Sequence, residues 1–179
     1  MDSKRKILAL GGARSGKSQF ARRTAEASGL GLVLIATATA LDAEMTARIA
    51  RHRQERGADW LTLEEPLDLA GAITLAAAPD RVVVVDCLTL WLTNVMLGGG
   101  NVEAEIAALL LATRLSTGPV ILVSNEVGQG IVPETPLGRA FRDAQGELNQ
   151  AMAAVCPDVV LMVAGLPLRL KPTATPDLF

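Results

Sequence analysis

Residues 6–18 read KILALGGARSGKS, and this stretch decides the fold. A short apolar run leads into Gly11-Gly12-Ala13-Arg14-Ser15-Gly16-Lys17-Ser18, which satisfies the pattern G-x-x-x-x-G-K-[ST]. Glycines at these positions let consecutive backbone N–H groups curl round an anion. Lys17 is placed to neutralise β and γ oxygens of a nucleoside triphosphate, and the Ser18 hydroxyl to ligate Mg²⁺. A helix starting near Gly16 adds its positive end to the same point. The context fits, because an apolar run precedes the loop and a helix-compatible KSQFARRTAEA follows it. That context disfavours the bland alternative, a glycine-rich turn that holds no nucleotide.

Working outward, the first helix is predicted to end at Gly29-Leu30-Gly31, and LVLIAT is a second buried strand, which completes a βαβ unit. Residues 43–56, AEMTARIARHRQER, have a helical pattern. Glu44/Arg48 and Arg51/Glu55 pair at i,i+4, while Met45, Ile49 and His52 share another side. Trp60 to Leu63 reads as a short strand, and Leu67 to Ala77 as a helix. Arg81 to Asp86 is the clearest strand, four valines closed by an acid and so buried on both faces. A helix over Leu88 to Met96 breaks at Gly98-Gly99-Gly100, a second runs from Val102 to Leu115, and Gly118-Pro119 turns into the strand VILVS. Residues 125–137 are too rich in Gly and Pro to be regular, so they form a loop at a strand's carboxyl end, where open α/β sheets carry function. A long helix over Gly138 to Val155, a strand over Val159 to Val163, a turn at Gly165-Leu166-Pro167 and a short antiparallel strand close the chain. Roughly five strands alternating with helices imply an α/β fold, a mostly parallel sheet covered on both faces. Residues 1–171 are expected to form a single domain and 172–179 a loose tail.

Composition narrows the class. With 179 residues, of which 50% are hydrophobic and 20% charged, the chain can bury a sizeable core. Two Trp, three Phe and no Tyr leave few platforms for stacking bases, and a net charge of −2 also argues against a nucleic-acid surface. Two cysteines and one histidine build neither a disulfide scaffold nor an ordinary four-ligand zinc site. The apolar run before Gly11 is too short for a signal peptide. The longest charge-free stretch, Cys87 to Val102, is too short and too interrupted to span a bilayer. The expectation is a soluble cytoplasmic protein with reduced thiols and no membrane or nucleic-acid partner.

Three places carry chemistry besides the cradle. Asp86, at the end of the valine strand, stands where a phosphate-binding loop needs a carboxylate to hold Mg²⁺ or its water; the competing role is a helix N-cap for the segment starting at Leu88. His52 is the sole histidine, and a lone histidine on an apolar helix face is more often structural. Arg48, Arg51, Arg53 and Arg56 on the same helix change that weighting, since clustered cations lower an imidazole pKa and attract phosphate. Arg48 and Arg51 are otherwise accounted for by their glutamate pairs. Asn125-Glu126 and the helix residues Arg139, Arg142 and Asp143 fit either substrate contacts or a loop anchor, and both roles stay open.

Together, Gly11 to Ser18, Ile35-Ala36-Thr37-Ala38, the helix Asp42-x-Glu44-Met45-x-x-Arg48-Ile49-x-x-His52, Asn125-Glu126-Val127-Gly128-x-Gly130-Ile131-Val132-Pro133 and Phe141-Arg142-Asp143 resemble the bifunctional adenosylcobinamide kinase / adenosylcobinamide-phosphate guanylyltransferase family of cobalamin biosynthesis. The likeness runs in order along nearly the whole chain. It implies a P-loop NTPase of the RecA-like kind with a short antiparallel C-terminal strand, and two transfers at one site. A nucleoside triphosphate, GTP or ATP, first phosphorylates adenosylcobinamide. GMP from GTP then passes to adenosylcobinamide-phosphate through a histidine carrier, here His52, giving adenosylcobinamide-GDP. The resemblance assigns catalysis to His52 and Lys17. It assigns nucleotide contacts to Gly11, Gly12, Ala13, Arg14, Ser15, Gly16, Lys17, Ser18, Ala36, Thr37, Ala38, Arg53, Gln54, Glu55, Arg56, Glu64 and Asp86, Mg²⁺ to Ser18 and Asp86, and a homotrimer as the assembly. The flanks of His52 are arginines here, Arg51 and Arg53, which departs from the family pattern. Two other readings are a small-molecule kinase that forms no covalent nucleotide, and a regulatory GTPase or RecA-like nucleic-acid motor. The switch lacks an N-K-x-D guanine motif and a glycine at the third position after Asp86; the motor lacks a basic or aromatic surface.

Overall fold

The computed structural model describes residues 5–39 and 59–172. The helix expected over 43–56, with His52 and Arg53 to Arg56, and the expected tail after Pro172 lie outside the described residues.

Within them the chain alternates as the apolar pattern requires. Strand β1 (Lys6–Gly11) leads into helix α1 (Lys17–Glu26), then β2 (Gly31–Ala36) and β3 (Trp60–Glu64). Helix α2 (Leu69–Ala76), β4 (Arg81–Asp86), the helices α3 (Leu88–Leu97) and α4 (Val102–Leu115), and β5 (Val120–Val123) follow, and α5 (Pro136–Val155), β6 (Asp158–Val163) and β7 (Leu166–Lys171) end it. Local capping sets several boundaries. The Asp68 side chain accepts from Gly71 N at the start of α2, Asn101 from Ala104 N at the start of α4, and Thr135 from Gly138 N at the start of α5.

The strands form one seven-stranded sheet in the order β3-β2-β4-β5-β1-β6-β7. Every neighbouring pair is parallel except β6 with β7. Strands β4 and β5 are buried almost throughout, as expected of β-branched runs with both faces covered. The larger core lies on one face, where Leu8, Leu10, Val83, Val85, Val120 and Leu122 meet Leu69 and Ile73 of α2, Leu88, Trp91 and Leu92 of α3, Leu109 of α4 and Leu148 and Met152 of α5. The other face packs Ile7, Leu34, Val82, Val84, Ile121 and Val123 against Ala21 and Ala25 of α1. Small alanines at i and i+4 let α1 lie close on the sheet, which fixes the direction of its N-terminus.

The short strand expected over Trp60 to Leu63 and the short antiparallel strand expected at the C-terminus both form, pairing with β2 and with β6, and they bring the roughly five strands that alternate with helices to seven. Three sequence expectations are corrected. Helix α5 starts at Pro136 and not Gly138, since proline suits the first helical turn and Thr135 caps it. Helix α2 starts at Leu69, later than Leu67, because Asp68 is its cap. The β6–β7 turn is made by Ala164 and Gly165 with positive φ angles of 52° and 81°, so Leu166 and Pro167 belong to the strand.

Candidate nucleotide-binding site

The site builds up at the carboxyl edge of the sheet. Gly11 ends β1, and the chain reverses through Gly12 to Ser15 before α1 begins at Lys17. Two glycines are required there. A Cβ on Gly11 would sit 2.6 Å from both the Met162 carbonyl oxygen and Ser15 Oγ, and Gly16 has φ +100° with Gly165 Cα 3.1 Å from where its Cβ would be. Gly16 is the N-cap of α1 and supplies no capping side chain, so the first-turn amides of α1 are left for an anion. Ser15 is pinned by its backbone, its carbonyl accepting from Gly165 N at 2.9 Å, while its buried Oγ has no hydrogen-bond partner. Lys17 is buried under the loop, with Nζ donating to Gly12 O at 2.7 Å. An ammonium held there curls toward the space that the loop encloses.

Strand register aligns the other expected contacts along this edge. Ala36, at the end of β2, pairs with Glu64 of β3 on one side and Asp86 of β4 on the other. Asp86 pairs in turn with Val123 of β5, and Val123 with Ala9 of β1. Asp86 is thus one strand removed from the loop. It is half-buried, and among the described residues its carboxylate accepts no hydrogen bond and forms no ion pair. The N-cap of α3 is Cys87, without a side-chain cap bond, so Asp86 does not cap that helix.

Thr37 is fully buried and has a clear structural task. Its hydroxyl donates to Cys87 O at 2.7 Å and accepts from Cys87 N at 2.9 Å, which ties the end of β2 to the segment after β4. Asn94 Nδ2 donates to Thr37 O at 2.8 Å and to Pro66 O at 3.1 Å, adding the end of β3 to the same knot. Ala38 follows half-buried, and Glu64 is exposed at the edge. Arg14 lies exposed at the loop tip with φ 56°. The described residues therefore bring together Gly11 to Ser18, Ala36 to Ala38, Glu64 and Asp86. Cys87, beside Asp86, has its thiol pushed up from 9.0 to about 11 by burial first and the neighbouring carboxylate second.

A polar cluster beyond β5 was missed by sequence reasoning. Ser124 Oγ donates to Asn149 Oδ1 at 2.6 Å, and Gln145 Nε2 donates to Ser124 Oγ at 3.0 Å and to Asn149 Oδ1 at 3.1 Å. Asn149 Nδ2 donates to Asn125 O at 3.1 Å and to Glu126 Oε1 at 2.9 Å. Asn125 N donates to Thr89 Oγ1 on α3, and Glu126 N to Gly11 O at 3.0 Å. The signal was present: Gln145 and Asn149 are amides four apart on the face of α5 that buries Leu148 and Met152. Arg139 is a loop anchor, with Nη1 donating to Pro133 O and Glu134 O, and Arg142 pairs with its neighbour Asp143 at 2.9 Å.

The chain matches the family model described as cobinamide kinase / cobinamide phosphate guanyltransferase over residues 7–170. It is 51% identical over 166 residues to the bifunctional adenosylcobalamin biosynthesis protein CobP of Pseudomonas aeruginosa, covering 92% of this chain and 96% of that one. The Escherichia coli protein of the same description, CobU, is 39% identical over 180 residues, covering 92% of this chain and 99% of the other. Among solved structures, the flagellar accessory protein FlaH from Methanocaldococcus jannaschii superimposes with a TM-score of 0.53 at 13% identity, over 96% of this chain and 80% of that one. A Pyrococcus horikoshii OT3 structure titled as Project ID PH0250 reaches 0.54 at 10% identity, over 96% and 88%. At these identities the likeness is one of fold, and the motif and sheet order are those of a P-loop NTPase. Cradle, carboxylate, sheet topology and the match along residues 7–170 lead to one conclusion: the chain belongs to the cobinamide kinase / cobinamide phosphate guanyltransferase family.

Proposed function

We propose that the protein phosphorylates adenosylcobinamide with a nucleoside triphosphate and then transfers GMP from GTP to the resulting phosphate, through a guanylyl group carried on His52. The observation that carries this reading is the loop at Gly11 to Ser18 with buried Lys17, one strand from the carboxylate of Asp86, in a chain that matches the family model nearly end to end.

In the first transfer the loop amides and Lys17 hold the β and γ phosphates while the acceptor hydroxyl attacks the γ-phosphorus; catalysis here is mainly positioning and charge stabilisation. In the second, neutral His52 attacks the α-phosphorus of GTP, pyrophosphate leaves into the same cradle, and the substrate phosphate then takes GMP from the imidazole. Arg53 and Arg56, near His52 in the sequence, are cations of the kind that disfavour a protonated imidazole and attract a triphosphate. Ser18 and Asp86 fit Mg²⁺, because it keeps several waters and takes one or two protein oxygens plus phosphates, and Asp86 is a half-buried carboxylate without a hydrogen-bond partner among the described residues. When bound, the ion neutralises charge on the phosphate oxygens. Arg53, Gln54, Glu55, Arg56, Ala36, Thr37, Ala38 and Glu64 complete the nucleotide contacts, and the protein works as a homotrimer in the cytoplasm.

The test is to incubate the purified protein with adenosylcobinamide, GTP or ATP and Mg²⁺ and to follow the corrinoid by mass spectrometry. The expected products are the phosphate and then the GDP derivative, with both lost or reduced about 10²–10³-fold in Lys17→Ala. An unchanged corrinoid with the wild-type protein overturns the reading.

A further inference from the structure

The polar cluster behind β5 holds more hydrogen-bonding side chains than a loop anchor needs. A strand end can be fixed through its own N–H groups, and two already do so here, Asn125 N donating to the Thr89 hydroxyl at 2.9 Å and Glu126 N to Gly11 O at 3.0 Å. The buried side chains of Ser124 and Gln145 instead converge on the amide oxygen of buried Asn149, whose amide nitrogen faces Asn125 O and Glu126. Ser124 Oγ and Gln145 Nε2 both donate to Asn149 Oδ1, so Nδ2 must be the end that donates onward to Glu126 Oε1 at 2.9 Å. A flipped amide would turn Oδ1 against the Asn125 carbonyl and the Glu126 carboxylate, which only accept. The orientation of Asn149 is thereby fixed, and with it one oxygen of Glu126.

The second oxygen, Oε2, accepts no hydrogen bond among the described residues, and the side chain is half-buried. Its place follows from the sheet order. Strand β5 lies between β1 and β4, so Glu126 stands past the end of the strand that separates the phosphate cradle from Asp86, bonded through its own N–H to the first cradle glycine. A carboxylate with one oxygen fastened and the other available, on a residue whose backbone is bonded to the first cradle glycine, suits accepting a proton from a hydroxyl nucleophile. Asp86 is expected to be occupied by the metal.

Resting on the kinase reading above, we propose that Glu126 is the proton acceptor for the attacking hydroxyl in the phosphoryl transfer, and that Asn149 positions it. In that step the substrate oxygen forms a bond to the γ-phosphorus, and the bond from that phosphorus to the β–γ bridging oxygen breaks. The hydroxyl proton passes to Oε2 of Glu126, and the nucleoside diphosphate leaves with the electron pair.

The experiment measures kcat and KM for corrinoid phosphorylation in wild type, Glu126→Gln, Glu126→Asp, Asn149→Ala and the Glu126→Gln/Asn149→Ala double variant, each checked for folding by thermal melting. Expected are a kcat reduced about 10²-fold in Glu126→Gln with nucleotide KM little changed, and partial recovery in Glu126→Asp. Asn149→Ala is expected to lose about tenfold in kcat alone, and the double variant to be no slower than Glu126→Gln, because Asn149 acts through the carboxylate. A Glu126→Gln kcat within about threefold of wild type overturns the acceptor role. Additive losses in the double variant overturn the positioning role and leave Asn149 as a packing residue. Should Glu126→Gln fail to fold, Glu126→Asp decides: wild-type kcat, or no better than background, contradicts the assignment. If the wild-type protein itself does not phosphorylate the corrinoid, the kinase reading fails, which is distinct from failure of this assignment.

Discussion

The two cysteines show how far one residue's surroundings set its chemistry. Burial pushes Cys156 up from 9.0 to about 12, the first cause being desolvation, and Cys87 to about 11. Neither thiol is a nucleophile at neutral pH, and neither takes part in the proposed transfers. The sign of the linkage is definite. The unfolded thiols ionise near 9.0 and the folded ones not until about 11 and 12, so the folded state binds more protons between those values. Stability is therefore fully present below pH 9.0 and falls as pH rises through the interval, by up to about 1.4 kcal/mol per pH unit for each thiol. Urea unfolding between pH 8 and pH 11 should show the midpoint falling, and replacing Cys156 with Ser should flatten the fall; an equally steep fall would contradict the assignment. The same residue scale holds the least legible part of the site. Lys17 and Asp86 are evident from local pattern. The task of Thr37 depends on Cys87, fifty positions away, and that of Asn149 on Ser124, twenty-five away. Such partnerships have no local periodicity to reveal them.

At the scale of elements, hydrophobic patterning accounts for most of what was legible. Strands β1, β2, β4 and β5 are continuous apolar runs, and helices α1, α3 and α4 match their expected spans within a residue or so. The misses cluster where turn chemistry and pairing compete. Gly165-Leu166-Pro167 reads as a turn, yet proline is tolerated on an edge strand, and β7 is the edge of the sheet. What joins the elements at the site is the Thr37 knot, which links the end of β2 to the segment between β4 and α3. Thr37→Val keeps the shape of the side chain and removes both hydroxyl bonds, leaving buried Cys87 N and O without that partner. The expected loss of stability is about 1–3 kcal/mol, read from the denaturant midpoint, with weaker nucleotide binding because Ala36, Ala38 and Asp86 lose their common support. Unchanged stability would mean that the knot contributes nothing.

For the whole molecule, the open edge of the sheet is the notable surface. Leu166 and Leu168 of β7 are 72% and 56% exposed, and Leu170 beside them is 39% exposed. Exposed apolar edge strands invite pairing or burial by another chain, which agrees with the trimer proposed above. Sedimentation equilibrium should give a mass about three times the 18.7 kDa of one chain, and Leu168→Glu should lower it; a monomeric mass for the wild-type protein would contradict the trimer. Among the described residues no helix is long and apolar enough to cross a membrane.

The central claim is that one P-loop serves two transfers, one at the γ-phosphorus and one at the α-phosphorus, with His52 as the carrier in the second. The measurement that bears on it most directly uses GTP labelled at the α-phosphorus, incubated with the protein and Mg²⁺ without corrinoid. The account predicts a protein adduct that is labile to acid and stable to base, absent from His52→Ala and strongly reduced in Lys17→Ala. No adduct on the wild-type protein, or undiminished label on His52→Ala, would contradict it.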